Sequence, residues 1–306
     1  MKSLAQRFLA KMGLALVLKS QRQELGVLSQ LKSLAQRFLE QTGFALVLIS
    51  QRQELRELAR LVSTDNFRNL LLELPPEQIL SIAPYLRMSK SQLAQDLFVL
   101  AELSAKKHGF FVEFGATDGI TLSNTWLLEK SLAWQGIVCE PAQCWHERLA
   151  ACRKCIIDTR CVWKTSGEML PFFEAPHTVG AELSSIKGRG YYPKGVLPGA
   201  TGERAGIEYR VETVSLTDLL DHYQAPPLID FLSIDTEGSE YDILSAHNFN
   251  KYRFRIIAVE HNAKPSRSLI FNLLTSHGYK RKYEHASAWD DWYILEPAVQ
   301  QVEGKQ

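Results

Sequence analysis

Apolar positions divide the chain into two textures. Before residue 109 they recur at helical spacing. Leu34, Phe38, Leu39 and Ala45 form one such set, with Gln and Arg between them, and LAQDLFVLAEL forms another after Ser89-Lys90-Ser91-Gln92. Pro75-Pro76-Glu77 predicts a helix start, where proline is tolerated. From Phe110 short continuous apolar runs take over. Phe110–Phe114 (FFVEF), Ile137–Cys139, a stretch within Ile156–Trp163, Ile229–Ile234 (IDFLSI) and Ile256–Val259 predict strands, and Tyr279–Tyr283 and Trp292–Leu295 predict two more. Leu122–Leu132, Trp145–Cys152, Glu240–Ala246 and Ser268–His277 predict helices between them. Strands alternating with helices imply an α/β fold, with a parallel sheet covered on both faces.

The first texture contains a duplication. Lys2–Leu25 returns at Lys32–Leu55, offset by 30 residues and identical at 19 of 24 positions. Recurrence inside the chain argues against a signal peptide, because no signal acts there. The expected organisation is a duplicated helical arm over 1–62, a helical connecting region over 63–108 and a ligand-binding domain over 109–306.

Composition sharpens this division. Hydrophobic residues make up 45% and charged residues 23%, an ordinary globular balance that excludes a wholly disordered chain. The net charge of +1 gives no field for nucleic acid. It conceals an asymmetry, since residues 1–60 carry 10 Lys/Arg against 4 Asp/Glu, a net of +6, and the rest carries −5. Two readings of the basic arm stand. It packs on itself or on another subunit, or it makes peripheral contact with an anionic membrane. No apolar run reaches the length of a spanning helix. The five cysteines, Cys139, Cys144, Cys152, Cys155 and Cys161, crowd into 23 residues, and their number is odd. That pattern predicts reduced thiols in a cytoplasmic protein rather than a disulfide framework.

Candidate chemistry lies at the carboxyl ends of the predicted strands, where open α/β sheets bind ligands. Acids recur there: Glu113, Glu140, Asp158, Asp235 with Glu237, and Glu260 beside Asn262. Gly115 and Gly119 bracket the turn after the first strand, where glycine admits close approach. Glu140, one strand later, suits the two hydroxyls of a ribose. The turn lacks GxGxxG, which disfavours a dinucleotide oxidoreductase.

VEFGATDG, SNTWLLEK, WQGIVCEP, IDFLSIDTEGSEYDIL and IIAVEHN together resemble the FkbM-type S-adenosylmethionine-dependent methyltransferases. The resemblance spans about residues 85–296, omits the arm, and is most specific in the DxEGxE block. It implies a class I methyltransferase fold, a Rossmann-like seven-stranded sheet with an antiparallel last strand. It also implies methyl transfer to a hydroxyl of a sugar, glycan, polyketide or related metabolite. On this likeness Glu113, Gly115, Ala116, Asp118 and Gly119 form the cofactor turn, Glu140 holds the ribose and Asp158 contacts adenine. Asp235, Glu237, Gly238 and Glu240 border the sulfonium and the acceptor.

Oxygen methylation requires alignment and removal of the hydroxyl proton. Asp235, Glu237 and His261 are the candidate bases. Asp235, Glu260 and Asn262 offer hard oxygen ligands for Mg²⁺ or another divalent cation, which would acidify the hydroxyl. A methyltransferase fold retained as an inactive interaction module is the alternative. Between Ala175 and Gly206, a segment rich in Gly, Ser and Tyr predicts a binding loop, with Tyr191 and Tyr192 stacking on the acceptor and Ser184 and Ser185 donating to it.

Overall fold

The computed structural model describes residues 64–175, 183–189 and 206–296. The duplicated arm, Tyr191 and Tyr192 lie outside them.

Seven strands form the main sheet: β1 (Phe110–Phe114), β2 (Gln135–Cys139), β3 (Ile156–Asp158), β8 (Leu228–Ile234), β9 (Arg253–Glu260), β10 (Tyr279–Lys282) and β11 (Asp290–Leu295). Their order is β10-β11-β9-β8-β1-β2-β3. β11 runs opposite to the other six strands of this sheet. This is the expected Rossmann-like sheet with an antiparallel last strand. Its central strands are buried along most of their length because both faces are covered, so they read as largely apolar runs rather than alternations.

One face packs on the helices α1 (Asp65–Glu73), α2 (Pro76–Ile82), α3 (Gln95–Glu102) and α4 (Trp126–Leu132). Thr64 caps α1, its side chain accepting from the Phe67 amide, and Pro76 opens α2 as its sequence predicts. Helix α3 is not the amphipathic segment that its pattern suggests. Gln95 to Ala101 are all buried, because the helix lies between the sheet and α2. Phe98 stacks on Trp292 of β11 with ring centres 4.7 Å apart. Asp96, fully buried, accepts from the Ser89 and Ser91 hydroxyls and from the amides of Lys90 and Leu97, which fixes the chain entering α3. The described part of 63–108 therefore shares one core with the sheet, and residue 109 marks no break in packing. The other face is covered by α6 (Leu216–His222), α7 (Glu240–Ser245) and α8 (Ser266–Ser276).

Residues 161–215 add a part that the sequence reading missed. The stretch Ile156–Trp163 is two strands, and β4 (Cys161–Trp163) leaves the main sheet for a second one with β5 (Met169–Glu174), β6 (Ser185–Ile186) and β7 (Ile207–Ser215), ordered β4-β7-β5-β6. Part of the expected Ala175–Gly206 loop is thus strand. The small sheet packs on α5 (Gln143–Cys152) through Trp145, Trp163, Phe172 and Ile186. It also holds the start of α5: Glu174 accepts from the Cys144 amide at 3.2 Å and from the Tyr209 hydroxyl at 2.6 Å, while Tyr209 accepts from the Gln143 amide. No helix among the described residues is long and apolar enough to cross a membrane.

Candidate active site

Strands β1, β2 and β8 end in register, Phe114 beside Cys139 and Ile234. The chain leaves β1 at Gly115, whose φ is +78° and whose amide donates to the Cys139 carbonyl at 3.1 Å. A Cβ at Gly115 would collide with the Asp235 carbonyl, so only glycine lets these two turns touch. Beyond it Thr117, at φ +46°, donates its amide to Glu140 Oε2 at 2.8 Å. The Ala142 amide donates to Glu140 Oε1 at 2.8 Å. Glu140 is buried, and burial pushes its carboxyl up to about 7 against the pull of those two amides.

A cleft opens at this junction. Gly115, Thr117, Glu140, Asp235, Thr236 and Ser239 form one bank. Trp145, Cys161, Val162, Phe172 and Ile186 form an apolar opposite bank, supplied by α5 and the small sheet. Of the residues expected to hold a cofactor, the structure thus brings Gly115, Glu140 and Asp235 to one cleft.

The other expected cofactor residues have different work. Glu113 faces the α4 side, not the cleft. Its carboxylate accepts from the Asn124 amide at 2.6 Å, from the Ser123 and Thr125 hydroxyls, and from Arg153. Asp118 closes its own turn, accepting from the amides of Ile120 and Thr121. Ala116 is buried in the core beneath. Gly119 clears space for Arg153 and Leu149, and the helix expected from Leu122 begins only at Trp126. Asp158 pairs with Arg160 at 2.6 Å and accepts from the Tyr223 hydroxyl, and it does not line the cleft. The third-strand region does reach the cleft, but through Cys161 and Val162.

Asp235 begins the second half of the site. The DTEGSE loop folds on itself: Glu240 Oε1 accepts from the Thr236 amide and hydroxyl and from the Gly238 amide. Glu237 is held at φ +58°, a sparsely populated backbone region for a side chain with Cβ. This curl gathers Asp235, Glu237 and Glu260, each with an acidic oxygen within 4.8 Å of the others. Burial raises the Asp235 carboxyl and Glu240 raises it further, while a hydrogen bond from Glu260 opposes the shift. Burial raises Glu260 more strongly, followed by repulsion from Asp235, Glu237, Glu240 and Asp290, so the Asp235–Glu260 pair keeps a proton between them.

Two contributors to this cluster escaped the sequence reading. Asp290 pairs across the ladder with Glu260, and burial followed by Asp235 pushes it up to about 7. Gln95 of α3 donates to Asp290 Oδ2 at 2.8 Å. Asp290 falls outside the carboxyl-end pattern because an antiparallel strand brings its amino end to the same edge of the sheet.

His261 does not join the acids. Its Nδ1 accepts from the Ala263 amide at 2.9 Å and its Nε2 lies 3.7 Å from Asp291, which Arg267 and Arg281 also hold. Burial holds the imidazole below its usual range. It does not line the cleft where Gly115, Glu140 and Asp235 meet. Asn262, at φ +46°, donates its amide to the Trp289 carbonyl, and the third carboxylate in the described cluster is Glu237.

No curated protein matches the chain. Among solved structures, the precorrin-6y C5,15-methyltransferase from Geobacter metallireducens GS-15 is 11% identical, with a TM-score of 0.32 over 61% of this chain and 71% of that one. The methyltransferase FkbM domain matches residues 113–281, from the last turn of β1 through the DTEGSE loop and the Glu260 strand end into β10. That match covers more than half of the sequence, and the chain belongs to the FkbM methyltransferase family.

Proposed function

We propose that the chain transfers a methyl group from S-adenosylmethionine to a hydroxyl of a sugar, glycan, polyketide or related small molecule. The observation that carries this reading is the meeting of Gly115, Glu140 and Asp235 at one cleft. When bound, S-adenosylmethionine supplies a methyl group already activated by positive sulfur. The residues present fit it. The missing side chain at Gly115 leaves a backbone cradle. Glu140 keeps acceptor capacity on both oxygens for the ribose hydroxyls, since each carboxylate oxygen has two lone pairs and one amide donor. Val162, Phe172, Ile186 and Trp145 offer an apolar wall to the base and exclude water from it.

Asp235, half-buried where the cleft meets the acid cluster, accepts the hydroxyl proton at its carboxylate. Glu237 and Glu260 beside it add acidic oxygens, and displacement of the proton that the Asp235–Glu260 pair shares would open them to a cationic centre. The same three carboxylates have the hard oxygen chemistry of a Mg²⁺ site, and a cation held there would acidify the acceptor. Activity lost to a chelator and restored by Mg²⁺ supports the cation. Indifference to the chelator supports Asp235 alone.

Calorimetry with S-adenosylmethionine and its demethylated product tests the reading. Glu140→Ala should weaken binding tenfold or more through lost charge-assisted hydrogen bonds. Unchanged affinity in the folded variant defeats the assignment. The wild-type chain should also bind more weakly in acid. Glu140 is raised to about 7, so its carboxylate is present above that value and lost as the pH falls through it. Affinity should drop about tenfold between about pH 8 and about pH 6, and Glu140→Gln should flatten that dependence.

The duplicated arm, in this reading, serves self-association or contact with an anionic membrane rather than catalysis. A chain starting at Ser63 keeps every residue of the described core and should bind the cofactor with wild-type affinity. Failure to fold or bind would make the arm part of the catalytic unit. Flotation of the full chain with neutral and anionic vesicles separates the two roles.

A further inference from the structure

The small sheet reaches across the cleft at one place. Arg189 lies in the turn after β6, and its guanidinium is 5.2 Å from the Trp163 ring centre in β4. The same guanidinium is 2.7 Å from Asp242 in α7. The Arg189 carbonyl rests on Gly238, where any Cβ would strike it and where φ is +123°. Trp163 belongs to the small sheet, and Asp242 to the helix that follows the Asp235–Ser239 loop. One side chain therefore joins the two banks of the cleft, with Ser184 to Ile186 on one side and Asp235, Thr236 and Ser239 on the other.

We propose that Arg189 is a positioning residue for the cofactor. By linking Trp163 to Asp242 it holds the small sheet against the loop after β8 and sets how fast a bound nucleoside leaves. This inference rests on the methyl-donor reading above. An ion pair between partly exposed groups holds little by itself, but a guanidinium also stacked on an indole is more tightly held. The hairpin stays in its own sheet without Arg189, because Lys187 pairs with Glu208 at 2.8 Å and the Lys187 amide donates to the Pro171 carbonyl. Loss of the link should therefore free the bank without unfolding it.

The test is stopped-flow binding and release of S-adenosylhomocysteine on the full chain. Arg189→Ala should release it about tenfold faster, with the association rate within about threefold of wild type and the melting temperature nearly unchanged. Arg189→Lys keeps the charge opposite Asp242 but loses the planar stack, and should fall between the two. Arg189→Asp should release at least as fast as Arg189→Ala, and adding Asp242→Arg should recover part of the loss, which a merely structural role would not show. Wild-type release from Arg189→Ala and Arg189→Lys overturns the inference, as does a reversed pair no slower than Arg189→Asp alone. A wild-type chain that binds no S-adenosylhomocysteine overturns the methyl-donor reading, and this inference with it.

Discussion

Arg153→Met should cost about 3–5 kcal/mol of stability, the range for breaking a buried ion pair from one side. The Arg153 side chain is fully buried. Its Nε donates to Glu129 at 2.6 Å, its Nη2 to the Thr125 hydroxyl at 2.8 Å, and its Nη1 to Ser123, to the Gly119 carbonyl and to Glu113. Methionine would leave the buried Glu113 carboxylate with no cation and the Gly119 carbonyl one donor short. Denaturant midpoints with unchanged slope read the loss. Acid titration gives a second handle. Although burial alone raises Glu129, hydrogen bonds from Lys130 and Arg153 bring it down to about 2. Its stabilising share is present above the ordinary carboxyl value and lost as pH falls towards about 2, and that acid sensitivity should shrink in Arg153→Met. Pairing Arg153→Met with Glu113→Leu should recover part of the loss, because a wholly apolar replacement removes the stranded charge. A single-variant loss below about 1 kcal/mol would show that water or rearrangement satisfies Glu113 instead.

Asp235→Asn should cut turnover by about 10²–10⁴-fold, the usual worth of a positioned general base. Affinity for the methyl donor should stay within about threefold, because Glu140 and the Gly115 turn are untouched. Stability should hold or rise, since the substitution removes one of several acids crowded around Glu260. The measurement is transfer of labelled methyl to an acceptor that the wild-type chain modifies, alongside calorimetry with the donor. Wild-type turnover in the variant would remove Asp235 from the mechanism. A matching collapse of donor affinity would recast it as a binding residue.

The main sheet was legible because β1, β2, β8 and β9 are covered on both faces and so appear as short runs dominated by apolar residues. The small sheet was not. Strand β7 carries the alternation of a half-buried strand rather than a continuous apolar run, β5 is interrupted by Pro171, and their pairing spans the long segment between them. Glu113 looked like its strand-end neighbours. Yet it shares a face with Phe111, which packs in the α1–α4 core, while Val112 and Phe114 belong to the opposite core, so period-two bookkeeping would have turned it away from the cleft. Arg153, just past the last turn of α5, had the look of a solvated helix end, and only its tertiary partners reveal it as a hub. Asp235 and Glu140 were found because their strands are parallel. Asp290 was not, because its strand runs the other way.

The joining of α1–α3 to β10 and β11 bears on how the protein is made. Asn66 donates to the Ala286 carbonyl across 220 residues of chain, Gln95 to Asp290 across 195, and Phe98 stacks on Trp292. A ribosome releases these helices well before their partner strands, with 195 residues between Gln95 and Asp290. Their buried apolar faces must therefore wait, exposed, while the chain between is made, and such long-range closure is slow. A messenger cut short before codon 290 would yield a chain that holds every residue of the donor cleft yet leaves Phe98 and Gln95 uncovered, a target for chaperones and proteases rather than a smaller enzyme.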